Sequence, residues 1–447
     1  MVEAQYIDLF TQFRHVIDEN SAAGLNECRD KAIEAFKKQG FPTKKQEEYH
    51  HTDVARFFEE DYGLNLKQLG KKFNPYVSYV CDVPDLSTYL FYLVNDLFFN
   101  ENIPTSGLPE GVFVGSLKAF ANSHPDTFSK YYSQIADINN NGIVAFNTMF
   151  AQDGFIVYVP ENVIIEKPLQ LINILQSRIN YLVNRRLLII AEDGSQVKVL
   201  ACDHTMDHSK FLATQVTEIY AGKNAVVDFY ELEENSEKVV RLSNTFIHQE
   251  ASSSVLTNNV TLQSGVTRNN YRVKLAGENA ETYVCGIVVA DGEQKVDNHA
   301  FLDHAVPHCQ STQLFKYVLQ ENATGAFCGR ILVEKDAQKT MAYQTNRNLC
   351  TSPSARMYSK PQLEIYADDV KCSHGLTTGQ LDEDALFYMR SRGIAEQEAR
   401  YMLMQAFAVD VLQHIRLDSL KDRLIELIDK RFKGEKAHCG GNCAICK

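Results

Sequence analysis

Apolar residues follow different periods along the chain, and each period predicts a different kind of structure. The first region, residues 1–142, is predicted to be mostly helical, and a helix near residues 27–38 ends at Gly40 and Pro42. More mixed sequence follows, including an apolar block at residues 89–99. One helical face near the N-terminus is formed by residues spaced three or four apart, namely Tyr6, Phe10, Phe13 and Ile17.

The second region, residues 143–380, changes to short β-rich runs separated by turn residues, without a long helical period between them. The predicted strands are Gly154–Val159, Leu187–Ala191, Val226–Leu232, Val255–Leu262, Tyr271–Leu275, Tyr283–Ala290, Leu314–Leu319, Ile331–Val333 and Leu363–Ala367. This region is predicted to be the β core of the protein.

An internal echo in the β region suggests a repeat architecture. The motif around Cys285 recurs around Cys328, 43 residues later, and a Gln-Lys pair follows each copy. A fixed period of this size is typical of repeat proteins, and half of it predicts a β-helix with ~21–22 residues per turn. Periodicity alone favours the β-helix, while a β-sandwich with a chance echo remains the alternative.

The third region, residues 381–433, is again helical, with Asp382 as a predicted N-cap and Gly393 as a stop. Its apolar stripes must be buried. Packing on each other and on the β region is the favoured interpretation, and docking of a partner is a second role for the same helices. The residues of the predicted docking stripe are Met404, Phe407, Val411, Leu412 and Ile415.

Composition excludes several classes of protein. The chain has 447 residues, 45% of them hydrophobic, and a formal net charge of -12, which argues against a nucleic-acid partner. No apolar run approaches the ~20 residues that span a bilayer, so no membrane partner is expected. An acid at Glu3 replaces the positive charge of a signal peptide, and a cytoplasmic location is predicted. The 11 cysteines are too sparse for a disulfide framework.

Common catalytic motifs are absent from the sequence. Gly70-Lys71-Lys72 lacks both the first glycine and the hydroxyl residue of a phosphate-binding loop. No Gly-x-Gly-x-x-Gly, Gly-x-Ser-x-Gly or His-Glu-x-x-His pattern occurs either. The chain is therefore not predicted to be an ATPase, a dinucleotide enzyme of the common type, a serine hydrolase or a zincin.

The segment 360–375 combines a strand pattern with a reactive pair. Leu363, Ile365 and Ala367 alternate with polar residues, as in a strand with one buried face. Cys372 and His374 lie two residues apart, so both side chains project from one face of an extended chain. Thiol and imidazole can both ligate metal, and an imidazole can assist deprotonation of the thiol. A functional role is favoured for His374, whereas Cys372 fits a buried thiol equally well.

Two further groups in the β region are weaker candidates. Asp368 and Asp369 are adjacent and would face opposite sides of a strand, so a turn role is favoured over a general-base pair. A second patch contains several possible metal ligands, among which His304 is the one considered further; an ordinary histidine is the favoured interpretation. The members of that patch are His299, His304, His308 and Cys309.

The tail at residues 434–447 is rich in cysteine and is predicted to be flexible. It contains the spacing Cys-x3-Cys-x2-Cys with glycines between, which can wrap a tetrahedral metal ion or an iron–sulfur cluster. Incidental thiols at a frayed end are the equally supported alternative. The candidate ligands are His438, Cys439, Cys443 and Cys446.

The segment 360–375 resembles the signature of the SufB/SufD family of iron–sulfur cluster assembly scaffolds. Further motifs in family order are Phe41-Pro42-Thr43, His304-x-x-Pro307 with Ser311, Gln344-x-Asn346-x-Asn348-Leu349, Gly379-Gln380-Leu381-Asp382 and Leu386-Phe387-Tyr388. The Phe-Pro-Thr element is closer to the SufD branch than to the SufB branch. Two positions depart from the pattern, because Tyr49 replaces a usual tryptophan and His51 replaces a usual aromatic residue.

The resemblance implies a right-handed parallel β-helix flanked by helical regions. It also implies a non-catalytic scaffold that pairs with a SufB-like paralogue near Cys372 and His374 and recruits a SufC-type ABC ATPase through residues 381–433. ATP would bind in that partner, an Fe–S cluster would form transiently in the complex, and reduced flavin could join it. No tightly bound cofactor is expected in the isolated chain, which is predicted to form a homodimer.

Two other functions remain as alternatives. One is a stand-alone metal or Fe–S carrier that uses the cysteine-rich tail. The other is a carbohydrate-active β-helix enzyme, which the sequence disfavours because the chain has no tryptophan for a sugar platform and no signal peptide.

Overall fold

The computed structural model describes residues 2–70, 74–78, 88–101, 103 and 107–434. The chain is mainly β, with 40% strand and 26% helix. Before and among the first strands lie the helices α1 (Val2–Glu19), α2 (Ala23–Asn26), α3 (Arg29–Gln39), α4 (Val54–Phe57), α5 (Pro75–Ser78), α6 (Leu117–Ser123), α7 (Pro125–Tyr131) and α8 (Gly142–Phe150), together with a short 3-10 helix (Glu47–Tyr49). After the last strand come α9 (Glu383–Ser391), α10 (Glu396–Leu412) and α11 (Asp418–Phe432).

The strands form two sheets that alternate along the chain. In chain order they are β1 (Tyr89–Val94), β2 (Leu97–Phe98), β3 (Phe113–Ser116), β4 (Phe155–Val159), β5 (Leu169–Leu175), β6 (Tyr181–Ala191), β7 (Gln196–Thr205), β8 (Phe211–Ala221), β9 (Val226–Glu234), β10 (Val239–Gln249), β11 (Ser254–Gln263), β12 (Val266–Leu275), β13 (Glu281–Ala290), β14 (Lys295–His304), β15 (Gln310–Leu319), β16 (Thr324–Val333), β17 (Met341–Cys350), β18 (Arg356–Ile365) and β19 (Lys371–Gly379). The first sheet contains β1, β2 and the odd strands from β5 to β19, and the second contains β3 and the even strands from β4 to β18.

From β4 to β17 every strand pairs in parallel with the strand two positions later in sequence, which makes a β-solenoid of about eight turns. The predicted parallel β-helix with helices at both ends is confirmed, and the β-sandwich alternative is excluded. Ser311 pairs with Ala342 and Ala342 with Cys372, so successive turns take 31 and 30 residues. The predicted turn of ~21–22 residues is wrong, because each turn contains two strands of about ten residues as well as their connections.

The two copies of the repeated sequence motif do not mark equivalent positions of successive turns. Cys285 lies on β13 in the first sheet, whereas Cys328 lies on β16 in the second sheet. The two copies are therefore about one and a half turns apart and do not stack in register. Cys285 is paired instead with Leu314, 29 residues later.

The interior of the solenoid, which we call the lumen, is filled by alternate side chains of both sheets. An apolar cluster runs through it, because β-branched and aromatic residues recur at every second position and stack on their counterparts one turn away. The odd-numbered strands contribute Leu171, Val199, Phe229, Val255, Val284 and Phe315 to this cluster. The even-numbered strands contribute Val157, Leu187, Ile219, Ile247, Val273 and Leu302. This burial supplies the main driving force for the fold.

The N-terminal helices cover the outer face of the second sheet. Phe36 and Phe146 belong to a cluster with Leu182, Leu212 and Leu242, which project outward from β6, β8 and β10. The N-terminal end of the solenoid is closed by antiparallel pairs, β1 with β2 and β3 with β4. The mostly helical first region thus contributes strands as well.

The C-terminal helices cover the outer face of the first sheet, and this contradicts the predicted docking stripe. Met404, Val411, Leu412 and Ile415 are buried in one cluster with residues of β9, β11 and β13. Phe407 is half-buried, and the ammonium of Lys316 lies 4.6 Å from its ring centroid. These side chains hold the helices to the solenoid and are not free to bind a partner, because an amphipathic helix buries its apolar stripe on the nearest apolar sheet face.

Polar contacts reinforce this attachment. Lys316 on β15 pairs with Asp410 at 2.8 Å and donates to the carbonyl of Phe407 at 2.8 Å. Arg416 pairs with Asp228 at 3.1 Å, and Arg431 pairs with Asp291 at 2.6 Å. In the part of the chain that the structure describes, no helix is both long and apolar enough to cross a membrane. The exact division into domains at residues 142, 380 and 433 stays a prediction.

Candidate functional site at the open end of the solenoid

The last turn of the solenoid leaves two strands with a free edge. Among the described residues, β18 pairs only with β16, and β19 pairs only with β17. The next strand position in each sheet is therefore open, and the outer N–H and C=O groups of both strands can accept another chain. We call this surface, formed by residues 356–379, the open end.

Cys372 and His374 both lie on β19 and face the lumen. Cys372 is half-buried and packs on Ala342, Val370 and their neighbours, and burial raises the pKa of its thiol. Two positions later, His374 is exposed, because no further turn covers the lumen above it. The structure thus brings the predicted pair together on one strand face, as the sequence spacing indicated.

Each member of the pair continues a column of residues in the turns below. Cys372 is in register with Ala342, which is apolar. His374 is in register with Gln344, and Gln344 with Gln313, so a polar column ends in the exposed imidazole. In the described ranges no group of three or more His, Cys, Asp or Glu side chains could hold a metal ion. This chain can therefore offer a sulfur and a nitrogen ligand to iron from the open end, and the remaining ligands must come from elsewhere.

The open end also exposes large apolar side chains at its rim. These side chains are between 39% and 62% exposed and lie on or beside the last turns, where they are available to a second surface. They are Tyr343, Tyr358, Ile365, Tyr366 and Leu376.

A segment of the N-terminal region reaches the open end. Glu47 forms an ion pair with Lys360 on β18, and the ring of His51 stacks on Tyr358 with centroids 4.3 Å apart. Tyr49 is buried beneath the guanidinium of Arg268, 3.9 Å from the ring centroid. Tyr49 and His51, the two residues that depart from the family pattern, thus both make contacts through their rings. Between this segment and the sheet lies a cavity of about 560 Å³, lined by Cys328 and His299 among others.

His304 lies two turns below the open end, in register with Val333 and through it with Ile365, and is sealed in the lumen. Its side chain is fully buried, its Nε2 is 2.8 Å from the hydroxyl of Ser311, and its Nδ1 has no partner among the described residues. Burial lowers the pKa of its imidazole from the ordinary 6.5 to about 4. Among the described residues, His304 belongs to no group of three or more His, Cys, Asp or Glu side chains that could hold a metal ion, so an ordinary buried histidine stays the favoured interpretation. The sequence motif that contains His304 and Ser311 thus corresponds to a buried hydrogen bond between these two side chains.

The structure describes the position of the acidic pair but not of the candidate ligands in the tail. Asp368 and Asp369 lie in the connection between β18 and β19, where Asp369 pairs with Lys339, so they form part of a turn. This placement agrees with the favoured turn role and not with a general-base pair. The four candidate ligands of the tail, Cys439, Cys443, Cys446 and His438, lie outside the described residues.

Sequence reasoning missed the exposed face of the C-terminal helices. Phe387 and Tyr388 on α9 are 72% and 58% exposed, and Met402 on α10 is 43% exposed. The consecutive aromatic residues Phe387 and Tyr388 were a usable signal, since adjacent positions of a helix cannot both face one core. They form a second candidate surface, which we call the α9 surface.

Comparison with known proteins gives one consistent result. Residues 174–407 match the family described as SUF system FeS cluster assembly, SufBD core domain, and residues 1–171 match the SufBD protein N-terminal region. An iron–sulfur cluster assembly SufBD family protein of Synechocystis is 30% identical over 402 residues, which cover 87% of this chain and 87% of that protein.

Two relatives carry the name iron–sulfur cluster assembly protein SufD. The Escherichia coli protein is 36% identical over 197 residues, which cover 43% of this chain and 47% of that protein. The Bacillus subtilis protein is 25% identical over 331 residues, which cover 72% of this chain and 75% of that protein. The similarity therefore extends over both the N-terminal region and the solenoid.

The buried imidazole of His304 predicts a pH-dependent part of the stability. The unfolded chain binds a proton at this site below about pH 6.5 and the folded chain only below about pH 4, so this contribution is complete above pH 6.5 and is lost as the pH falls. Between about pH 7.5 and pH 5, urea unfolding should show that the wild-type chain loses about 2 kcal/mol more than His304→Gln.

His208 provides the matched control, because it is an exposed histidine in the connection between β7 and β8. His208→Gln should keep the pH dependence of the wild type. Equal pH dependence in wild type and His304→Gln would contradict the assigned burial of the neutral ring.

Proposed function

Because the chain belongs to the SufB/SufD family of iron–sulfur cluster assembly proteins, we propose that it is a scaffold subunit whose open end pairs with a SufB-like paralogue. The observation that carries this proposal is the uncapped last turn, where two free strand edges surround Cys372 and His374. A second solenoid can continue both sheets, and backbone pairing across such edges gives affinity without a deep pocket. The exposed rim side chains add apolar area to the same contact.

Pairing at the open end would bring ligands from two chains to one place. Cys372 and His374 supply a soft sulfur and a neutral nitrogen, both of which suit iron. A cluster needs more ligands than these, so the paralogue would complete the set, and the cluster would be the product that is built and released. The exposed position of His374 also leaves its imidazole within reach of groups that exchange protons during cluster formation.

The α9 surface is the proposed docking site for a SufC-type ABC ATPase. Phe387 and Tyr388 are exposed, and aromatic side chains of this kind often anchor protein interfaces. The helices behind them are fixed to the solenoid through Lys316, Arg416 and Arg431. A movement of the ATPase would therefore be transmitted to the solenoid as a rigid body and would open and close the paired ends during ATP hydrolysis in the partner.

Several finer expectations belong to the same proposal. The chain itself carries out no catalysis, works in the cytoplasm, and forms a homodimer through the open end when no paralogue is present. An Fe–S cluster is held only transiently, and reduced flavin in the assembled complex stays a prediction.

The cysteine-rich tail supports a second candidate function, a metal or Fe–S carrier. The spacing of its three cysteines and one histidine provides four ligands within ten residues of sequence. Deletion of residues 435–447 should remove one equivalent of bound zinc or iron if the tail is a carrier site, as measured by elemental analysis of the purified chain. An unchanged metal content would exclude the carrier function. His438→Asn tests whether the histidine is one of the ligands.

Replacement of His374 should reduce cluster formation without affecting the fold. The side chain is exposed, so His374→Ala should change the free energy of unfolding by less than about 0.5 kcal/mol. Loss of an iron ligand or proton carrier should slow cluster formation in the complex with paralogue and ATPase by about tenfold or more. The rate is followed by the visible absorbance of the reconstituted cluster.

The control for this experiment is again an exposed histidine away from the open end. His208→Ala should form clusters at the wild-type rate. Wild-type activity in His374→Ala would show that the open end does not act through this imidazole.

The two proposed surfaces predict opposite binding defects. Phe387→Ser with Tyr388→Ser should weaken capture of the ATPase by about tenfold or more and leave pairing with the paralogue intact, because each buried aromatic anchor contributes on the order of 1–2 kcal/mol. Tyr366→Ser with Leu376→Ser should show the reverse. Co-purification of the three proteins measures both contacts at once.

These exposed positions are better probes than removal of residues 381–433, because that deletion would uncover the apolar outer face of the first sheet. Loss of both partners in either double variant, or of neither partner in both, would contradict the assignment of separate surfaces.

A further inference from the structure

The polar column below His374 contains a pair of glutamines in the lumen. Gln344 lies one turn below His374 in register, and Gln313 lies one turn below Gln344. Both glutamines are buried, with 1% and 0% exposure. Neighbouring parallel strands are about 4.8 Å apart, so each side chain is within reach of the next one in the column.

The two amides are held in a defined orientation. Gln344 Nε2 donates to Gln313 Oε1 at 2.7 Å. Opposite them on β16 lies Gly329, where an added Cβ would collide with Gln344 Nε2 and lie 2.7 Å from Gln313 Oε1. The glycine therefore provides the space that the amide pair occupies, and the pair cannot be moved aside without a change of the lumen around it.

This pair leaves two buried atoms without a partner among the described residues, the acceptor Gln344 Oε1 and the donor Gln313 Nε2. Gln344 Oε1 is buried and accepts no hydrogen bond from any residue in the described ranges. An unsatisfied buried carbonyl oxygen is costly and calls for an explanation. Neighbouring polar residues of the same strand are satisfied, since Asn346 and Asn348 bond to each other and to Ser359.

The nearest turn above Gln344 carries the imidazole of His374 on the same face. A neutral imidazole has one N–H donor and one nitrogen acceptor, and a hydrogen bond to one nitrogen selects the tautomer and directs the other. Rotation of the exposed His374 side chain can bring a ring N–H to Gln344 Oε1 without a movement of the backbone.

We propose that Gln344 is a positioning residue for His374, whose ring N–H donates to Gln344 Oε1 so that the second ring nitrogen is unprotonated and faces the open end. This inference rests on the proposed function, because an outward-facing nitrogen is useful where iron or a proton arrives from a partner. Gln313 and Gly329 contribute indirectly, since they fix the amide of Gln344.

The tautomer of His374 can be measured directly in the full chain labelled with ¹⁵N-histidine. Proton–nitrogen correlation spectra at alkaline pH distinguish the two neutral tautomers, and the His374 signals are identified by their absence from His374→Ala. The wild-type ring should populate mainly one tautomer. Gln344→Met, which keeps the volume but removes the acceptor, should change the ratio of tautomers by about fivefold.

Gln344→Glu is the conservative variant that tests the role of the acceptor. At this alkaline pH the new carboxylate has two acceptor oxygens, so one can accept from Gln313 Nε2, which has no partner among the described residues, while the other accepts from His374. The wild-type tautomer ratio should therefore return. In the assembled complex, Gln344→Met should slow cluster formation by about tenfold and Gln344→Glu should restore it.

An unchanged tautomer ratio in Gln344→Met overturns the inference, whatever happens to cluster formation. A ratio that changes in Gln344→Met but does not return in Gln344→Glu also overturns it, because packing would then account for the effect. A tautomer ratio that changes in Gln344→Met and returns in Gln344→Glu supports the inference. If His374→Ala still forms clusters in that case, the proposed function of His374 is wrong while the positioning role of Gln344 stands.

Discussion

The hydrogen-bonded ladder between successive turns is the constraint on which the rest of the structure depends. Each strand from β5 to β17 is paired in parallel on both sides, so its side chains are placed directly above their counterparts one turn earlier. This stacking produces continuous columns in the lumen, some apolar and some polar. The ladder is closed by antiparallel pairs at its first turns and is left unclosed at its last turn. Cys372 and His374 lie on the last strand, where the ladder ends.

Several buried charges of the lumen form ion pairs with each other. Arg241 on β10 reaches Asp203 at 2.7 Å and Glu231 at 2.6 Å on the opposite sheet, and Arg185 also reaches Asp203. Buried pairs of this kind contribute little net stability, but removal of one partner is strongly destabilising. A shift of one sheet against the other would break these pairs and leave a buried charge unpaired, so they disfavour such a shift in the turns that contain them.

Much of the architecture could be predicted from the sequence. The change from helical to alternating spacing near residue 143 predicted the β core, and the two-residue spacing of Cys372 and His374 predicted a shared face. The length of a turn could not be obtained from the echo of Cys285 and Cys328, because similar local sequences occur in opposite sheets. The apolar stripe of α10 indicated burial, but a pattern on one helix does not distinguish its own sheet from a partner protein. His304 shows the same limit, since sequence does not reveal how deeply a side chain is enclosed.

The uncapped last turn limits how far the protein can assemble. Its two unprotected edges and the apolar side chains beside them lie at one end of the solenoid, whereas antiparallel pairs close the other end. Association through the open end therefore occupies both edges once two chains have met, and it yields a closed pair instead of a growing fibre. A solenoid that was open at both ends could add chains without limit, so the capped first turns confine assembly to a finite complex.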